Sequence, residues 1–202
     1  MSSLPFQIGI TGGIGAGKSI LCQVFASLGT PLYSADDRAK WLMNNDPELR
    51  NQIIAQFSDK AYHDQGLDRQ YLAEHVFHDQ AKLEVLNELV HPAVAKDYEN
   101  WLVEHSFAAY VIKEAALMYE TGSHVTLDKV IVVTAPEAVR INRVQKRDPQ
   151  RGRDQIKAII AKQIPVEEAI AQADFVIVND GESLLLPEVL RLHKLFSTQR
   201  VD

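Results

Sequence analysis

The sequence predicts an α/β protein: a five-stranded parallel sheet flanked by helices and interrupted by a helical insertion. Three observations predict it. Short β-branched segments alternate with stretches of helical periodicity, which implies parallel strands joined by crossover helices. The first such segment, Phe6-Gln-Ile-Gly-Ile-Thr11, runs directly into a glycine turn and a helix. Residues 46–106, in contrast, carry almost no strand signal.

Taken in order, Phe6–Thr11 reads as a buried strand stopped by Gly12 and Gly13. Lys18 to Leu28 repeats Leu21, Val24, Phe25 and Leu28 at helical spacing, and Gly29 is placed to cap that helix. Pro31-Leu-Tyr-Ser34 is a second strand, with proline at its tolerated first position, and Asp36 starts the next helix. Asp46-Pro47 and Asp68 are helix-start signals, residues 58–67 (SDKAYHDQGL) read as a loop, and Leu83, Leu86 and Val90 form one apolar stripe. Pro92 is expected to break this region into two helical stretches. Strands resume at Ala108–Ile112, Lys129–Ala135 and Phe175–Val178. Pro136 opens a helix after the second of these, and a last amphipathic helix covers about Ser183–Ser197. The expected organisation is a core of residues 1–45 and 107–202 with an insertion at 46–106.

Composition narrows the class. Of 202 residues 46% are hydrophobic and 24% charged, enough for a buried core and unlike a disulfide knot, a fibrous repeat or a disordered tail. The net charge of -6 disfavours nucleic acid and anionic membranes as partners, so an anion site must be local. Cys22 is the single cysteine, most simply a small core residue, and the opening MSSLPFQIGIT has no basic leader; a cytoplasmic setting is expected. No apolar run reaches the roughly 20 residues needed to cross a bilayer.

The strongest chemical signal is Gly12-Gly-Ile-Gly-Ala-Gly-Lys-Ser19, which fits G-x-x-x-x-G-K-[ST] at every fixed position. Glycines let a backbone curl around phosphate, and a helix beginning near Gly17 adds its positive dipole end. Gly12, Gly13, Ile14, Gly15, Ala16, Gly17, Lys18, Ser19 and Ile20 are therefore candidate ATP-binding residues, with Lys18 toward the β- and γ-phosphates and Ser19 as a Mg²⁺ ligand. No Asn-Lys-x-Asp tetrapeptide reads guanine. The strand ending Tyr110-Val-Ile-Lys-Glu114 lacks the terminal Asp of motor-type ATPases, so a small phosphotransferase of the P-loop NTPase fold fits.

Residues 140–157 hold seven cations against two acids, a net +5 inside an acidic chain. That concentration suits a lid over polyphosphate, about residues 143–165, in which Arg143 and Arg147 stabilise the transferring group; a solvated basic face or a nucleic-acid patch is the plain alternative. Asp36 follows the second strand, on the edge where such sheets bind ligands, and can take the proton of an acceptor hydroxyl; with Asp37 it also suits a helix N-terminus. His91 either meets a substrate phosphate or makes a local hydrogen bond at a helix break. Glu120 either supports metal or substrate or is a surface acid.

These residues together resemble the dephospho-CoA kinase family over nearly the whole chain. Ile10-Thr-Gly-Gly-Ile-Gly-Ala-Gly-Lys-Ser19 is similar to its opening signature, Asp36 to its proposed catalytic aspartate, and Leu89-Val-His91-Pro92 to its Leu-His-Pro element. Arg143-Val-Gln-Lys-Arg147-Asp148 resembles its lid entry, Gln163 its lid glutamine, and Ala173-Asp174-Phe-Val-Ile-Val-Asn179-Asp-Gly181 its final strand and nucleotide-side turn. Where the family writes Asp-Ala-Asp this chain has Ser34-Ala35-Asp36, so only the second acid carries over. Ala116-Leu-Met-Tyr-Glu120 stands for Pro-Leu-Leu-x-Glu, and Ile159 replaces a frequent arginine. The resemblance implies transfer of phosphate from ATP, with Mg²⁺, to the ribose 3′-hydroxyl of dephospho-CoA. It implies Asn179 on the nucleotide, Asp36, His91, Leu117 and Glu120 on the acceptor, and no nucleic acid, membrane or obligatory protein partner. Another P-loop small-molecule or nucleoside-monophosphate kinase is the nearest alternative; a non-catalytic nucleotide switch or nucleic-acid-binding protein is the alternative from a different class.

Overall fold

Residues 4–76 and 79–199 are described by a computed structural model of the chain. They divide into two compact units, residues 1–34 with 105–202, and residues 35–104. The first unit is the sheet expected. Its strands are β1 (Phe6–Thr11), β2 (Leu32–Ser34), β5 (Tyr110–Glu114), β6 (Lys129–Thr134) and β7 (Phe175–Val178), all parallel in the order β2-β5-β1-β6-β7. The register aligns Ile10 with Glu114 and Ile131, and Ser34 with Glu114. Because the strands run the same way, Gly12, the Ser34 and Glu114 side chains and Asn179 all emerge at one edge, where ligands gather in sheets of this kind.

Alternate strand residues face one layer. Ile8, Ile10, Tyr110, Ile112, Ile131, Val133 and Ile177 form one buried cluster with Leu21, Cys22 and Phe25 of α1 (Lys18–Ser27). Val189, Leu192 and Phe196 of the last helix, Leu185–Ser197, complete it. A period of two along the strands meets a period of 3.6 along the helices, as burial on a common plane demands. Several polar groups of this layer are paired. Thr30 donates to the Tyr110 hydroxyl at 2.8 Å, which lies 2.6 Å from His193 Nδ1, and burial pushes the Tyr110 phenol up to about 12. At the sheet edge, Asp174 accepts from Val130 N–H and from Lys129 Nζ, each at 2.8 Å, fixing β7 against β6.

The second unit is helical: α2 (Ala35–Asn45), α3 (Pro47–Phe57), α4 (Arg69–Val76) and α5 (Gln80–Glu104). Asp46 caps α3 as expected, accepting from Glu48 N–H at 2.9 Å and Leu49 N–H at 3.0 Å, with Pro47 next in line. Three expectations need correction. The helical unit begins at Ala35 rather than 46, because α2 packs on α3 and α5 and Leu42 joins their core. Pro92 does not break a helix but lies inside α5. It removes one N–H and costs about 3 kcal/mol in a helix interior, yet Leu86, Leu89 and Val90 before it and Ala93 and Val94 after it pack into one cluster, and that shared burial holds the helix through. Residues 58–67 are also not wholly loop: β3 (Tyr62–His63) and β4 (Gly66–Leu67) form an antiparallel ribbon. Asn44 Oδ1 accepts from Leu67 N–H at 2.9 Å there, at a site where a Cβ on Gly66 would meet the same oxygen at 2.5 Å. Smaller shifts place the third sheet strand at Tyr110–Glu114, two residues later than expected.

Phe196 touches the rings of Phe6, Tyr110 and Phe175 and is 1% exposed. Phe196→Ala is expected to cost about 3–5 kcal/mol, read as a lower urea midpoint with an unchanged slope.

Candidate functional site

The glycine loop joins β1 to α1 along a path that side chains would block. A Cβ on Gly12, at φ 147°, would lie 2.1 Å from the Val133 carbonyl oxygen; one on Gly17, at φ 99°, would lie 2.1 Å from Asn179 Nδ2. Ala16 is fully buried beneath the loop. Gly17 caps α1 without a side-chain bond, and no acid sits in the first turn, so the positive end of the helix is left uncompensated. Lys18 folds back over the loop and donates from Nζ to the Gly12 carbonyl at 2.8 Å. Ser19 and Ile20 are exposed.

Other elements close on the loop from the side. Asn179, 6% exposed after β7, donates from Nδ2 to the Ala16 carbonyl at 2.9 Å. Arg143 of α6 (Glu137–Arg147) donates to the Asn179 carbonyl at 2.9 Å and to its Oδ1 at 3.2 Å. Ile141 and Val144 of α6 pack with Ile156 of α7 (Arg153–Ala161), and Ile14 of the loop lies against that cluster. Between α7 and α8 (Val166–Gln172), Gln163 Oε1 accepts from Ile14 N–H at 2.8 Å and Ile164 N–H donates to Glu120 Oε1 at 2.8 Å. The basic segment is thus joined to the loop by one apolar cluster and a side-chain amide.

The candidates fall into two sets. Gly12 to Ile20, Arg143 and Asn179 come together at the loop. Arg147 is exposed one turn further along α6, with no hydrogen bond or ion pair recorded among the described residues. Glu120 is engaged with the 162–165 connection, and Leu117 is 45% exposed beside it in sequence. Asp36 and His91 belong to the helical unit: Asp36 is exposed in the first turn of α2, and His91 is exposed on α5, where partial desolvation of its ring lowers its pKa below the ordinary 6.5.

Glu114 was not among the candidates. It ends β5 beside β1, accepts from Ser34 Oγ at 3.3 Å, and its charge, after burial itself, raises the Cys22 thiol to about 12 while Lys18 opposes it. Its carboxylate therefore lies among loop groups. The readable signal is an acid closing an apolar strand; the expectation of Asp at that position hid it.

A parallel sheet that presents a G-x-x-x-x-G-K-S loop, a folded-back lysine and a clustered arginine at its C-terminal edge defines a P-loop phosphotransferase, a kinase of the nucleotide-binding α/β type. Sequence comparison narrows this further. The chain matches the dephospho-CoA kinase family over residues 6–184 and belongs to it, a family that carries out the final step of coenzyme A biosynthesis. It is 34% identical over 193 residues to the dephospho-CoA kinase of Porphyromonas gingivalis, covering 96% of this chain and 95% of that one. To that of Chlorobium luteolum it is 38% identical over 202 residues, covering 96% and 91%. A solved structure from Thermus thermophilus superposes with a TM-score of 0.83 at 29% identity over 99% of this chain and 100% of that one. The dephospho-CoA kinase of Campylobacter jejuni superposes with a TM-score of 0.68 at 29% identity over 96% and 98%. A shikimate kinase from Bacteroides thetaiotaomicron, at 18% identity and a TM-score of 0.50, shares the fold.

Since Gly17 has neither room nor a suitable φ for a side chain, Gly17→Ala is expected to weaken binding of a non-hydrolysable ATP analogue at least about tenfold in calorimetric titration.

Proposed function

We propose that this chain transfers the γ-phosphate of ATP to the ribose 3′-hydroxyl of dephospho-CoA, giving CoA and ADP. The observation that carries the phosphoryl-transfer half is the loop itself, with Lys18 folded on Gly12, Asn179 fixed on Ala16 and Arg143 on Asn179. Family membership carries the acceptor half.

The roles follow from chemistry. Backbone N–H groups of the loop and the open N-terminus of α1 receive phosphate oxygens. Lys18 and Arg143 hold the charge that spreads over the transferring oxygens, and Arg147, on the same helix, adds to it. Asp36 accepts or orients the acceptor proton; an exposed carboxylate just past β2 is suited to that work. His91 of the helical unit, and Leu117 and Glu120 of the sheet-bearing unit, are the acceptor-binding residues that family membership implies. The segment 143–165 acts as a lid that excludes water able to waste ATP. The Ser19 hydroxyl and the Glu114 carboxylate are oxygen donors of the kind that would hold magnesium. Magnesium bound there offsets phosphate charge. A reducing cytoplasmic setting fits a lone, buried Cys22 thiol.

A coupled assay of ADP release across dephospho-CoA, shikimate, gluconate and nucleoside monophosphates tests the acceptor. Turnover is expected with dephospho-CoA, and its absence there overturns the reading. Asp36→Asn is expected to lower kcat by roughly 10²–10⁴ with little change in ATP affinity, while Lys18→Ala loses both turnover and affinity; single-turnover kinetics and titration separate the two.

A further inference from the structure

Arg140 is the most unusual charge in the sheet-bearing unit. Three residues before Arg143 on α6, it is only 9% exposed, its Nε is buried without a hydrogen-bond partner, and no ion pair is recorded for it among the described residues. Arg151 on the same basic segment, in contrast, pairs with Asp148 at 3.1 Å. A buried guanidinium N–H with neither a partner nor a counter-charge is costly. A residue with this burden is explained when something else brings the negative charge.

The surroundings say what that is. Arg140 lines a pocket together with Gly13, Tyr119, Thr134, Glu120 and Gln163. A Cβ on Gly13 would meet Arg140 Nη1 at 2.2 Å, so the guanidinium lies on the backbone of the phosphate loop. The pocket's acid, Glu120, is directed to Ile164 N–H. A planar cation with several N–H donors, one of them buried and unsatisfied, beside the loop suits the oxygens of a tetrahedral oxyanion.

We propose that Arg140 is a phosphate-binding residue on the β1–β6 side of the loop, one that holds a phosphate oxygen of a bound substrate. This rests on the kinase reading above and adds a binding group to it. Two sources share the chemistry: the terminal phosphate of ATP, and the diphosphate of the acceptor.

Arg140→Met, which keeps the volume and removes the charge, tests the site. The KM for ATP, for dephospho-CoA or for both is expected to rise about 10- to 100-fold, as loss of one charge-assisted contact predicts. A rise confined to one substrate identifies the source, and a rise in both places the group at the phosphate being passed. Arg140→Lys is expected to recover much of the loss. The melting temperature of ligand-free Arg140→Met is expected to hold or rise, because an unpaired buried charge has gone; a structural arginine would give a fall with both KM values unchanged, and that result overturns the proposal. Should the wild-type chain show no acceptor-dependent ADP release, the functional reading fails separately. Calorimetric titration of wild type and Arg140→Met with an ATP analogue and with dephospho-CoA still decides the site: equal affinities for both ligands refute it.

Discussion

The structure depends on how closely other backbone approaches the loop between β1 and α1. Carbonyl oxygens of Val133 and Arg140 and the amide of Asn179 lie where Cβ atoms of Gly12, Gly15 and Gly17 would stand, at 2.1, 2.4 and 2.1 Å. Three separate elements, β6, α6 and the turn after β7, thus converge on six residues. They can do so because β1 sits in the middle of the sheet with β6 and β7 on one side, which brings their C-terminal ends to the same place. Strand order, glycine placement and the loop's curl are one constraint seen at three scales.

Polar pairing then turns proximity into rigidity. The Ala16 carbonyl accepts from Asn179 Nδ2, whose residue in turn accepts twice from Arg143. A single arginine thereby holds the final strand's exit and the loop in one network, and such a network is stable only when each member is satisfied. Gln163 extends it to the basic segment by presenting an amide oxygen to Ile14 N–H, the kind of group a phosphate oxygen also seeks. Glu120 secures the neighbouring residue, Ile164. The basic segment is therefore tied to the loop through its polar atoms as well as through Ile14.

Much of this was legible in residues alone, for reasons that can be named. Phe175–Val178 coincides with its expected bounds because a run of β-branched residues ends at Asn-Asp-Gly, where Asp180 accepts from Glu182 and Ser183 N–H at 2.9 and 2.8 Å. The glycine loop was legible because its spacing is its mechanism. What was hidden depended on tertiary context. Pro92 reads as a breaker in any local window, and only the cluster spanning it shows why α5 continues. The start of the helical unit could not be placed from residue 46, since the packing of Leu42 is a property of the folded unit. Glu114 acquires meaning only from its register with Ile10 and Ser34, and Arg140 looked like one more cation in a basic stretch until its burial set it apart.

That contrast bears on why the arginine is left unpaired. Elsewhere the chain neutralises arginines with carboxylates: Arg38 is held by Asp97 within the helical unit, and Arg191 by Glu188 at 2.6 Å on the last helix. A carboxylate beside Arg140 would relieve its desolvation in the same way, but it would then have to be displaced by any incoming anion, and binding would lose what folding had gained. Leaving the guanidinium without a partner moves that free energy from the fold to the complex, at the expense of the empty protein. The sheet can bear the loss because its own core is dense and satisfied elsewhere, from the Thr30–Tyr110–His193 chain to the Phe196 ring cluster. Stability built into the far layer of the sheet is what allows the phosphate side to keep an unpaired charge for its ligand.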